Sequence, residues 1–156
     1  MALTIDRFKN ITVNQGGADA FVEANVDTLL VPENGLAWLI TYVELLFLPG
    51  MFSGISADAS VYWSMTRDTK AAVPSFGDPD SIWVDGFDWT LTTSGSAIVP
   101  STWRWTPPQG IIFVEPTIYF QLDSTATGAT LNARVRIHYE EIKVSEVDIL
   151  RMLNNS

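Results

Sequence analysis

A chain of 156 residues is long enough to bury a sizeable hydrophobic core. It is 47% hydrophobic but only 17% charged, and its 9 basic residues against 18 acidic ones give a net charge of −9 with no Lys/Arg cluster, so no direct nucleic-acid binding is expected. The lack of cysteine excludes disulfides, thiolate metal sites and cysteine nucleophiles, and the opening Met-Ala-Leu-Thr-Ile-Asp-Arg has no basic-then-apolar signal pattern.

Apolar residues recur every second position, the period of strands that bury one face. Ile5 to Asn14 reads as a first strand, followed by the turn Gln15-Gly16-Gly17-Ala18-Asp19. Ala20 to Val31 reads as a second, with Val22, Ala24 and Val26 on one face, and Pro32-Glu33-Asn34-Gly35 turns the chain again. Leu36 to Leu48 is apolar on both faces and is expected to be central in a sheet. The apolar run continues to Phe52, but Glu44 interrupts it and Pro49-Gly50 breaks it, so a buried strand and loop are expected and no transmembrane segment.

Ala57 to Thr66 alternates through Ala59, Val61, Trp63 and Met65, and a long loop from Arg67 to Asp80 follows. Ile82 to Thr93 is a fifth strand with a bulge expected at Gly86, and Ile98 to Trp105 a short sixth. Ile111 to Asp123 reads as one strand that Pro116 marks as edge or bulged. Ala129 to Val144 alternates most clearly, Leu131, Ala133, Val135, Ile137 and Tyr139 against Arg134, Arg136, His138 and Glu140. The turn-rich Ser124-Thr125-Ala126-Thr127-Gly128 predicts a hairpin between these last two strands. Residues 145–154 read as a short helix with Ser145 as its N-cap and Asp148 three residues on. The expected fold is all-β: one domain over residues 1–156, a jelly-roll-like antiparallel sandwich of two sheets and about eight strands, with a C-terminal helix.

No catalytic arrangement is visible. His138 is the only histidine and no Gly-x-Ser-x-Gly elbow is present, so it is expected at a surface or an interface. Asp78, Asp80, Asp85 and Asp88 are calcium candidates by proximity, although Asp78-Pro79-Asp80 is also ordinary turn chemistry. Trp83, Phe87 and Trp89 share one strand face, and Trp103 and Trp105 precede two prolines. Such rings are either core and interface anchors or a sugar-binding platform. No cofactor is expected.

Low charge and high aromatic content suit a chain that buries surface against partners. Candidate contacts are the apolar loop residues Phe47, Leu48, Met51 and Phe52, the arginines Arg134 and Arg136 in an acidic chain, and Ile149, Leu150 and Leu153 of the terminal helix.

With about eight strands, ending in Thr117-Ile118-Tyr119-Phe120-Gln121-Leu122-Asp123 and Arg134-Val135-Arg136-Ile137-His138-Tyr139-Glu140, the chain resembles viral single jelly-roll capsid proteins. It departs from many of them in having no basic N-terminal arm. The resemblance implies a non-enzymatic virion protein that self-assembles into a shell, with genome contact left to an internal membrane or another virion protein. A virion decoration, tail or spike protein and a carbohydrate-binding module are the alternative readings.

Overall fold

The computed structural model describes residues 7–48, 58–89 and 102–154. Among these residues nine strands follow in order: β1 (Arg7–Asn14), β2 (Val22–Asp27), β3 (Leu36–Phe47), β4 (Ala59–Thr66), β5 (Ser81–Trp89), β6 (Thr102–Trp105), β7 (Ile111–Phe113), β8 (Thr117–Thr125) and β9 (Asn132–Lys143), with helix α1 (Glu146–Asn154) after them. All pairings are antiparallel and form two sheets, β1-β9-β3-β6 with β7 also on β3, and β2-β8-β4-β5. The two sheets pack face to face as a jelly roll.

Alternation decides which side chains enter the space between the sheets. Ile11, Val13, Trp38, Ile40, Val43, Leu45, Phe47, Val135 and Ile137 from one sheet meet Val61, Trp63, Met65, Ile118, Phe120 and Leu122 from the other. Trp63 is fully buried, with the rings of Trp103, Trp83, Phe87 and Phe47 centred 5.1, 5.9, 6.0 and 6.1 Å away. Where edge strands β5 and β6 face each other, Trp83 stacks on Trp105 and Phe87 on Trp103, at 5.8 and 5.0 Å. Each such pair adds about 0.5–1.5 kcal/mol beyond its buried area.

β3 lies inside its sheet, between β9 and the β6/β7 edge, as its two-sided apolarity implied. Among the described residues no helix is long and apolar enough to cross a membrane.

Several expected boundaries move. Ile111 to Asp123 is two strands in different sheets, and the chain crosses between them at Val114-Glu115-Pro116. A proline cannot donate to a ladder, so the pairing of β7 ends there. The expected hairpin of the last two strands is absent: β8 pairs with β2 and β4, and β9 with β1 and β3. Ala126 (φ 58°) and Gly128 (φ 64°) carry the connection from one sheet to the other. Alternation reports which face is buried, not which strand lies alongside. The second strand stops at Asp27, and Leu29 adopts φ 63° outside any ladder.

Gly86 is not bulged; it pairs directly with Tyr62, and the irregularity falls between Met65 and Thr66 opposite Trp83 and Ser81. A Cβ at Gly86 would lie 2.3 Å from Tyr62 Cδ1 and 2.7 Å from the Val61 carbonyl oxygen, so close approach explains the glycine.

Ser145 caps α1: its hydroxyl receives the Asp148 N–H at 3.2 Å and donates to the Asp148 carboxylate at 2.6 Å. Ile149, with Met152 and Leu153, docks on Ala37, Val114, Ile142 and Val144. This docking supplies what so short a helix lacks alone.

Candidate assembly interface

The outward face of the β1-β9-β3-β6 sheet is built in rows, because antiparallel register sets side chains opposite one another. In one row Phe8 of β1, His138 of β9 and Tyr42 of β3 align. Tyr42 stacks on the imidazole at 3.8 Å and Phe8 lies 5.9 Å from it. His138, expected at a surface or an interface, lies on this outward face but is only 7% exposed, because the rings of both flanking strands cover it.

The next row is Asn10, Arg136, Glu44 and Arg104. The buried Glu44 carboxylate accepts from Arg104 at 2.7 Å, and Arg136 and His138 lie 3.8 and 3.7 Å from it. Arg136 also lies over the Phe8 ring at 5.1 Å. Sequence reasoning noticed Glu44 only as an interruption of an apolar run. Its outward parity, shared with Tyr42 and Leu46, was the signal that it meets Arg136.

The third row is Thr12, Arg134, Leu46 and Thr102. Here a groove of about 440 Å³ opens, lined also by Asn14, Leu48 and Asn132. Leu48 is exposed at its end, and Arg134 stands exposed on its wall with no ion pair among the described residues. The sequence reading had the arginine and the leucine but not the groove, which arises from register across four strands.

Of the other interface candidates, Phe47 and Ile149 are corrected: at 3% and 1% exposed, both are packed into the protein's own core and offer no free surface. Leu150 and its neighbour Val147 are exposed on α1, and Leu153 is half-buried against Ala37 and Val114. Met51 and Phe52 lie outside the described residues.

Part of the outward face of the β2-β8-β4-β5 sheet, around Gln121, is covered by the connection from β4 to β5, while Tyr62 remains exposed. Buried Gln121 donates to Glu23 and to the Thr66 hydroxyl, both at 2.8 Å, and accepts from the Ser64 hydroxyl at 2.6 Å. Glu23 further accepts from the Thr69 hydroxyl and the Lys70 N–H. Burial raises the Glu23 pKa, but the bonds from Gln121, Thr69 and Lys70 together hold it below 4.5.

The four calcium candidates do not converge. Lys70 Nζ already sits 3.1 Å from Asp78 and 2.7 Å from Asp80. Asp78 is held below its ordinary pKa first by the Asp80 N–H and then by Lys70. Asp85 accepts the Gly86 N–H, and Asp88 accepts from the Tyr62 hydroxyl at 2.6 Å. No group of three or more His, Cys, Asp or Glu able to hold a metal ion occurs among the described residues.

Nor do the tryptophans form an open platform. Trp83 is buried, while Trp103 and Trp105 turn inward and stack on β5. The side chain of Trp89 lies outside the described residues. Phe76, 83% exposed in the β4–β5 connection, is an apolar group that sequence reasoning passed over, since nothing in its neighbours marks it.

Fold and surface together define a jelly-roll β-sandwich with a partly finished outer sheet face. Its structure resembles those of viral capsid proteins. Merkel cell polyomavirus VP1, in its unassembled pentamer, superposes with a TM-score of 0.61 over 90% of this chain and 96% of that one, at 7% sequence identity. VP1 of trichodysplasia spinulosa-associated polyomavirus gives 0.45 over 90% and 96% at 9% identity. The cowpea mosaic virus top component gives 0.42 over 93% and 89% at 12% identity. No protein-family model and no curated protein matches the sequence.

Proposed function

We propose that this chain is a structural, non-enzymatic subunit of a virion shell that assembles with copies of itself. The observation that carries the reading is the surface that folding leaves behind. With only 27 charged side chains (9 basic and 18 acidic), the protein keeps Phe8, Leu48, Phe76, Val147 and Leu150 exposed. Of these, Leu48 beside Leu46 in the groove and Val147 beside Leu150 on α1 are grouped, and grouped apolar side chains favour burial against partners. The jelly-roll fold shared with polyomavirus VP1, itself a pentamer, supports the same reading. Leu48, Arg134, Arg136, Leu150 and Leu153 are the subunit contacts this reading assigns, and the virion is where the protein resides. Genome contact falls to another virion component, because the cations are few and mostly engaged with carboxylates.

Sedimentation and electron microscopy of the purified chain test this. Rings, shells or other closed oligomers at micromolar concentration are the expected result. A monomer at every concentration and salt condition refutes it.

A further inference from the structure

We infer that the groove beside Arg134 receives helix α1 of a second copy, a head-to-tail contact that rests on the self-assembly reading above. Groove and helix have complementary features. The groove has the apolar side chains of Leu46 and Leu48 and an exposed arginine, Arg134, with no ion pair among the described residues. The neighbouring Arg136 is engaged with Glu44 and Phe8, so Arg134 is the cation a partner meets. The outer side of α1 offers Val147, 59% exposed, and Leu150, 46% exposed. Glu146 lies one turn before Leu150 on that side, exposed and without an ion pair among the described residues. Asp148, by contrast, is held by Ser145 and Arg151.

One molecule cannot bring these features together. Arg134 stands near the start of β9 and α1 begins just beyond its end. At ~3.3 Å per residue the strand from Arg134 to Lys143 spans ~30 Å. The inner side of α1 is fixed on Ala37 and Val114, which holds the helix at the far end of the same sheet face. A contact between different patches on two copies either repeats in one direction, giving a ring or a filament, or is made reciprocally across a two-fold axis, closing a dimer. An apolar centre with a charged pair at its rim is also how specific interfaces are arranged.

Charge reversal tests the pairing. Sedimentation of the full chain is compared for wild type, Arg134→Glu, Glu146→Arg and the double variant, with circular dichroism confirming that each is folded. Each single reversal should raise the concentration for half-assembly at least about tenfold, because it sets like charges together, and the double should return to within about threefold of wild type. Val147→Asp probes the helix side independently and should match the single reversals. If wild type assembles but Glu146→Arg and Val147→Asp assemble equally well, another segment fills the groove and the inference is overturned. A double variant no better than its singles overturns it too. A wild type that never assembles removes the self-assembly reading as well.

Discussion

Gln15 is the residue whose loss should most clearly loosen the β1–β2 end of the sandwich. It is 3% exposed, just past β1. Its side-chain oxygen accepts the Leu131 N–H at 2.9 Å, and its amide donates to the Ala20 carbonyl at 2.6 Å and the Ser124 hydroxyl at 3.0 Å. It thereby ties the β1–β2 turn to the β8–β9 crossover, three residues ahead of Arg134. Gln15→Ala orphans the buried Leu131 N–H, at about 1–3 kcal/mol, whereas the buried Ser124 hydroxyl keeps the Asp19 carboxylate 3.4 Å away as a partner. The Ala20 carbonyl is partly exposed, so water replaces that bond at little cost. The expected loss is about 2 kcal/mol, equivalent to a fall of about 4–8 °C in Tm for a chain of this size. Urea unfolding followed by tryptophan fluorescence reads it directly, with the midpoint moving and the slope unchanged. Gln15→Glu keeps the acceptor for Leu131 but loses both donors and sets a carboxylate against the Ala20 carbonyl, so it should be at least as damaging. A Gln15→Ala midpoint corresponding to less than about 0.5 kcal/mol of loss, below the usual worth of one hydrogen bond, refutes the argument.

Two further perturbations follow from the same packing. Glu23 has a folded pKa below its unfolded value, so its contribution is fully present above pH 4.5 and is lost as pH falls through the folded value; Glu23→Gln should flatten the fall in urea midpoint between pH 5 and pH 3, and an unchanged acid slope contradicts this. Gly86→Ala should destabilise by about 1–3 kcal/mol through overpacking; removing the Tyr62 ring in the same chain should restore only part of the loss, since the Val61 carbonyl still lies 2.7 Å from the new methyl, and a full rescue shows the backbone contact to be harmless.

The inward faces were legible because they follow a local rule. Val61, Trp63 and Met65, or Val135, Ile137 and Tyr139, repeat every second residue and are buried where that repeat places them. Strand neighbours were not legible, because pairing is decided across the sandwich. Leu122 of β8 and Leu131 just before β9 are both buried although β8 and β9 never pair, and nothing in the residues between them distinguishes a crossover from a hairpin. The same limit applied to the outward face. Arg134 and Arg136 are two residues apart on one strand and read alike. Only the partner strands separate them, since β3 sets Glu44 beside Arg136 and Leu46 beside Arg134. The tryptophans were ambiguous for a related reason: Trp83 and Trp105 cover each other from different sheets.

The two outer faces solve the same physical problem differently. A sheet that buries one side must still satisfy or solvate the other. Over β2-β8-β4-β5 the protein covers the part around Gln121 itself: the segment from Arg67 to Asp80 lies across Gln121, Ser64 and Thr66, and their hydrogen bonds close among themselves and with Glu23, while Tyr62 stays exposed further along β4. Over β1-β9-β3-β6 it finishes only part. Helix α1 covers Ala37 and Ile142 at one end, and the Phe8, Tyr42 and Arg136 side chains cover His138 and Glu44 in the middle. At the other end Leu46, Leu48 and Arg134 are left to solvent. A face completed at one end and open at the other is directional. It favours contacts between unlike patches, which two copies make either reciprocally across a two-fold axis or in one direction from copy to copy, and only the second builds a closed ring or an extended array.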